Sequence, residues 1–299
     1  MSTSLERTYR YVRLSLVGIV VLIGTSIAAY WLQEGPLGSV SAAYYTSAGP
    51  IFVGGVFAMS LALLALSGHS VGQVSLDLAA IMAPLIAVIP AAVFVDDLPD
   101  LDITCAGGHE PCVPESFIPA VNNSMTALLV TAVIGWLTAL ILSGVQRTFS
   151  RRIVWSLAVS GGLIAAVGSW WMFAPTSFLR AGHIVAAASF FAFIAIAALV
   201  SGRDAKRAGA TGYRVVYVII GSAIVIDLLG LLAVIVIGFT GLTIPEPWGI
   251  GPVFFGEAVA LVLFAIFWIV QTIETWNDPD PAFRANAAGN RLSPAPTAR

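Results

Sequence analysis

Three ionisable side chains lie inside long apolar runs of this chain: His183 in GHIVAAASFF, Asp227 in GSAIVIDLLG and Glu257 in FFGEAVALVLF. Lipid penalises ionised groups, so each one needs a bonding partner or a task. His183 and Glu257 stand a short way in from the ends of two runs that start on the same side. Their side chains therefore fall at one depth, where they could pair, bind a metal or hold a polar headgroup. The structural alternative is a hydrogen bond between helices. Asp227 stands near the middle of its run, with no Lys or Arg at that depth in any run. It is a candidate proton relay, and the structural alternative is a protonated Asp bonded to a Ser or a backbone carbonyl.

A polar cluster adds candidates. Ser41, Tyr44 and Tyr45 lead into the second run in SVSAAYYTSAGPIFVGG, and Asn122, Asn123 and Ser124 open the fourth. The tyrosines are candidate binding groups; the plainer reading makes them interfacial anchors. The string CAGGHEPC carries Cys105 and Cys112 across a turn of Gly107, Gly108 and Pro111. On an oxidising face a disulfide is the expectation. Free thiols are a second reading. His109 permits a metal reading as well, although no fourth ligand is evident. No dinucleotide, P-loop, zinc-protease or nucleophile-elbow motif occurs, so no cofactor and no metal centre are expected and no reaction type is assigned. His69 and Asp77 flank a tight loop and suit a solvated or capping role.

The runs themselves define what positions these residues. Hydrophobic residues make up 58% and charged residues 10% of the 299, against about 25% charged in soluble domains. Stretches of about 20 apolar residues cross the hydrocarbon core as helices, because lipid offers the backbone no partner. The reading is an all-α, polytopic integral membrane bundle of eight transmembrane helices. They run Arg13–Leu32, Pro50–Ser67, Val74–Val95, Asn123–Val145, Ile153–Phe173, Ala181–Ser201, Val215–Phe239 and Pro252–Thr272. Domain boundaries are 1–275 for the bundle, including an outer loop at 96–122, and 276–299 for a disordered tail poor in apolar residues.

Charge sets the orientation. Of the 14 basic residues, Arg180 alone falls on one side; the rest cluster at the N-terminus, after spans four and six, and after span eight. The positive-inside rule then puts both termini in the cytoplasm of a cell membrane. The loop after span three carries Asp96, Asp97, Asp100, Asp102, Glu110 and Glu115. The first run is too long for a cleaved signal and reads as a signal anchor. Basic residues in short juxtamembrane loops suit anionic lipid heads, and nothing points to nucleic acid. Interfacial aromatics agree: Tyr30, Trp31, Trp170, Trp171 and Trp248 on one side, Tyr11, Trp155, Tyr213 and Trp276 on the other.

Three strings together resemble an uncharacterised prokaryotic family of multi-pass membrane proteins, a domain of unknown function. They are Ser-Ala-Ala-Tyr-Tyr at 41–45 leading into Phe52-Val53-Gly54, His183 through Phe191, and Glu257 through Trp268. The family's Arg-Asp pair before Phe-Val-Gly is replaced here by Gly49-Pro50-Ile51. The group is distantly similar to membrane proteins of GPI-anchor remodelling and autophagy modulation. That resemblance implies a lipid-facing role and carries over no catalytic residue.

The leading functional expectation is an outward-facing polar pocket, lined by Tyr44, Tyr45, His183 and Glu257, that binds or remodels a lipid or other amphiphile. One alternative is proton-coupled transport through Asp227. Another is a structural subunit, with a membrane-protein partner or a second copy, whose polar residues only lock helices together.

Overall fold

The computed structural model describes residues 4–66, 71–94, 103–105, 110–147, 149–239 and 250–276. His69, His109, Asp96, Asp97, Asp100, Asp102, Trp248 and the tail from 277 lie outside the described residues. Among the described residues eight α-helices follow in order: α1 Ser4–Glu34, α2 Gly49–Ala65, α3 Val71–Val88, α4 Ile118–Val145, α5 Arg151–Phe173, α6 Pro175–Arg207, α7 Thr211–Phe239 and α8 Pro252–Glu274. Short 3-10 helices at Ser41–Tyr45 and Glu115–Phe117 precede α2 and α4.

Seven of the helices are long and apolar enough to cross a membrane, with mean hydropathy of 1.6 to 2.7 in their best windows. The fold is that of a multi-pass helical membrane protein. The remaining helix, α2, has 17 residues, about 25 Å at 1.5 Å per residue. Large apolar side chains cover outward faces, among them Ile134 and Ile141 on α4 and Ile226 and Leu229 on α7. Water would penalise such faces heavily; lipid does not.

Local signals explain the helix ends. Proline stands in the first turn of α2, α4 and α8, where its missing N–H costs nothing. Ser150 caps α5, its side chain accepting from the Ile153 N–H at 3.3 Å. Gly209, at φ +79°, ends the turn after α6, whose last turn carries Lys206 and Arg207. The third run was expected to continue to Val95, but α3 stops at Val88. Pro90 disfavours helical geometry at Ile89 and supplies no N–H. By contrast, α1 and α6 overrun their apolar windows at both ends, because polar and charged residues beyond the lipid still form good helix.

The chain divides into two compact units. The first joins Met1–Ala87 with Ala186–Arg299. In it α1 packs on α2 and α8, and α7 packs on α8. Ser60 on α2 donates to the Ala80 carbonyl on α3 at 2.7 Å. Rings fill the middle: Phe190 lies 5.8 Å from Phe264, Tyr217 lies 5.9 Å from Phe267, and Phe267 lies 5.1 Å from Trp268. Within lipid such packing contacts and interhelical hydrogen bonds hold helices together, since apolar burial alone gains little there.

The second unit is Val88–Val185. Here the Trp136 indole N–H on α4 donates to the Leu157 carbonyl on α5 at 2.8 Å. Cys105 and Cys112 form a disulfide, with Cα atoms 5.8 Å apart. Cys112 also pairs with Val93 through two backbone hydrogen bonds of 2.9 and 3.0 Å. These links tie the segment before α4 to the segment that follows α3.

Candidate functional site

Of the candidate residues of the first unit, Tyr44, Tyr45 and Glu257 gather at one end. There the chain leaves α1, turns at Gly35 (φ +108°) and enters the 3-10 helix Ser41–Tyr45. Glu257, about a turn and a half into α8, holds that helix by both carboxylate oxygens. Oε2 accepts from the Ser41 N–H at 3.0 Å and Oε1 accepts from the Ser41 hydroxyl at 2.7 Å. Ser41 is buried. A carboxylate that accepts two donors is a strong, directional partner.

Close backbone approaches surround this contact. A Cβ on Gly251 would lie 2.8 Å from the Gly38 carbonyl oxygen, and one on Gly49 would lie 2.5 Å from that of Tyr44. Only glycine permits either approach. Tyr44 and Tyr45 stack edge to face with centroids 5.3 Å apart. Burial pushes both phenols above the usual tyrosine range, and the neighbouring Tyr44 adds to the shift at Tyr45. Both hydroxyls therefore stay protonated at neutral pH and can serve as donors. Glu257 and the tyrosine-bearing segment thus meet in one unit, through Ser41.

His183 belongs to the second unit. It is buried, and its Nδ1 lies 2.6 Å from the Ile89 carbonyl oxygen. A carbonyl can only accept, so Nδ1 carries the proton. The bond answers a local need: α3 ends at Val88, so the Ile89 carbonyl has no helix continuing beyond it to supply a donor. Asp227 stands on α7, half-buried, with one carboxylate oxygen buried and lacking a hydrogen-bond partner among the described residues. Asn122 accepts from the Trp171 indole N–H at 3.2 Å. Arg180 is exposed, and Asp77 is half-buried on α3.

At the arginine-rich end of the first unit lies a cavity of about 480 Å³ that the residue-level reading did not anticipate. Its walls come from α1, α3, α6 and α8, with Leu66 beside them. Arg13 is only 2% exposed. Its guanidinium donates to the Thr275 hydroxyl and lies 6.0 Å from the Tyr9 ring centroid. Thr275 in turn donates to the Gln271 carbonyl at 2.6 Å. Nearby, Tyr217 donates to Glu274 at 2.6 Å, and Arg207 pairs with Asp204 at 3.2 Å on the exposed rim. Trp268 is fully buried and lines the same cavity. Its indole N–H has no hydrogen-bond partner among the described residues. Arg10 donates to the Trp276 carbonyl at 2.6 Å and stacks 4.8 Å over that ring.

The signal for this cavity was present in sequence but looked like something else. Arg13 counts towards topology in a charge tally. Gln271, Thr272, Glu274 and Thr275 look like the polar exit of span eight. What marks them as a site is convergence of four helices, which no window along the chain contains.

Among the described residues no three His, Cys, Asp or Glu side chains converge on a metal-sized point. Comparison with protein-family models, with curated proteins and with solved structures gave no match.

Proposed function

We propose that this protein binds an amphiphile in the cavity at the arginine-rich end of its first unit. The cavity itself carries the reading. Its volume of about 480 Å³ lies within the 300–1,000 Å³ range usual for ligand sites, and equals about 16 liquid-water volumes at roughly 30 Å³ each. Leu66, Leu76, Ala197 and Val200 offer apolar wall, while Arg13, Gln271 and Ser201 offer polar groups. That mixture suits a molecule with a polar head and a hydrocarbon part. With eight spans and both termini in the cytoplasm, the cavity opens at the inner leaflet. The binding site is therefore placed at the opposite end from the cluster of Tyr44, Tyr45 and Glu257, where Glu257 fastens a loop segment.

The test is retention of lipid. The full chain is extracted in a mild detergent and examined by native mass spectrometry. Wild-type protein should carry one co-purified amphiphile. Ser201→Trp, which fills the cavity from its half-exposed wall, should lose it while unfolding at an unchanged temperature. A wild-type protein free of lipid, or equal retention by the variant, refutes the reading. The buried, unpartnered oxygen of Asp227 favours a second reading, proton-coupled transport. Proton flux in proteoliposomes that survives Asp227→Asn would remove it.

A further inference from the structure

We infer that the side of α7 carrying Asp227 docks a transmembrane helix of another membrane protein, one that bears an Arg or Lys near mid-bilayer. Of the seven long apolar helices, α7 has the highest mean hydropathy. Asp227 sits at the midpoint of its apolar run Val215–Phe239, about 18 Å from either end at 1.5 Å per residue. An Asp side chain is too short to reach water from there, and lipid supplies no bonding group. One of its carboxylate oxygens is buried and has no hydrogen-bond partner among the described residues. Ionised, the group needs a counter-charge; protonated, its O–H needs an acceptor. Either state is costly while that need goes unmet.

The helix surface around Asp227 is open. Ile226 is 69% exposed and Leu229 60%. Ala223, Asp227, Gly230 and Val234 recur at helical spacing on one side of α7, and none of the four is buried. A Cβ on Gly230 would meet no atom of the described residues within 4 Å, which leaves room for a second helix to approach closely. Charge names the occupant. No Lys or Arg lies at that depth in any apolar run of this chain, so a second copy would bring only another Asp. Neutral hydroxyls are within the bundle's means, since Ser60 and Thr272 are buried in it. The group it cannot supply at mid-bilayer is a cation. Ionisable groups inside membranes pair with one another, and opposite charges attract strongly in a low dielectric. This docking is independent of the cavity, and it gives Asp227 a task other than proton relay.

The experiment places the full-length chain in bicelles with a fluorescent donor at its N-terminus. The probes are synthetic transmembrane helices of Leu and Ala that carry an acceptor and differ only at the central residue: Arg, Lys, Gln or Leu. Energy transfer is titrated against the peptide-to-lipid ratio. The Arg and Lys peptides should associate at least tenfold more tightly than the Leu peptide. Asp227→Asn should bring that preference below about twofold. Gly230→Leu fills the open face; it should leave the unfolding temperature unchanged and weaken binding of the Arg peptide at least threefold. Equal binding of the Arg and Leu peptides, or a preference unmoved by Asp227→Asn, overturns the proposal. A Gln peptide that binds as tightly as the Arg peptide overturns charge as the selector. Energy transfer between two labelled copies of this chain, abolished by Asp227→Asn, would make the occupant a second copy and overturns it too. Proton flux lost in Asp227→Asn, with no preference among the peptides, upholds the relay in its place.

Discussion

Removing the bond between Ser41 and Glu257 should loosen the first unit at the end away from the cavity. Glu257 accepts from the Ser41 backbone at 3.0 Å and from its hydroxyl at 2.7 Å. Hydrogen bonds to a charged group each contribute about 1.5–3 kcal/mol net. Lost together, and discounted because Glu257 is only half-buried, the two bonds give an expected cost of about 2–4 kcal/mol for Glu257→Ala. Glu257→Gln keeps one carbonyl acceptor for the Ser41 N–H, and its amide can donate to the hydroxyl. That variant should cost only about 1 kcal/mol. Ser41→Ala removes the hydroxyl bond alone. A double-mutant cycle on Ser41→Ala and Glu257→Ala, read by reversible unfolding in mixed micelles, should therefore give a coupling of about 1–2 kcal/mol. The same cycle on His183 and Glu257 tests the sequence-based expectation that these two share a site. A Ser41–Glu257 coupling below about 0.3–0.5 kcal/mol, the scatter of independent sites, would refute the view that this carboxylate is a structural lock. A larger His183–Glu257 coupling would shift the chemistry of that end to the histidine.

The Cys105–Cys112 link closes a loop with a sequence separation of seven, which the chain-entropy account values at about 2.5 kcal/mol. Peptide mapping without reductant should find it joined, and two free thiols in protein purified without reductant would contradict the structure. Tyr44 and Tyr45 titrate above the ordinary tyrosine value of 10.0 in the folded chain. The unfolded chain then releases their protons first as pH rises, so their contribution holds below pH 10 and declines above it. Stability of the Tyr44→Phe, Tyr45→Phe variant should fall less steeply above pH 10 than that of wild type, and parallel curves would count against the assignment. Both termini are expected in the cytoplasm; a cysteine placed in the 277–299 tail should label only after permeabilisation, and labelling in intact cells would reverse the orientation.

The seven long apolar helices were readable because a single physical quantity, the length of an apolar run, sets them. Pro90 shows where that reading slips: hydropathy continues past Val88, but the backbone cannot, and Ile89 is left with a carbonyl that His183 must satisfy. His183 was recognisable as a polar group needing a partner, yet its partner is a backbone atom, which has no letter in the sequence. Glu257 presents the same limit. Its position inside a run announced a bond, but Ser41 lies 216 residues away, in a loop whose path no periodicity records.

Arg13 carries the argument furthest. An arginine at a membrane boundary can point to water or back into the bundle. Charge counting assigns it to topology in either case, because the positive-inside rule reads only which side a residue is on. The distinction comes from what surrounds it: Thr275, just past the end of α8, and Tyr9 one turn earlier on α1. A buried guanidinium costs several kcal/mol unless it is well bonded, and a chain under no demand could place an apolar residue there at less cost. Keeping a buried cation in the wall of a cavity is expensive for structure alone. The cavity that Arg13 helps to wall, and not the lock at Glu257, is therefore the place to test for what this protein does.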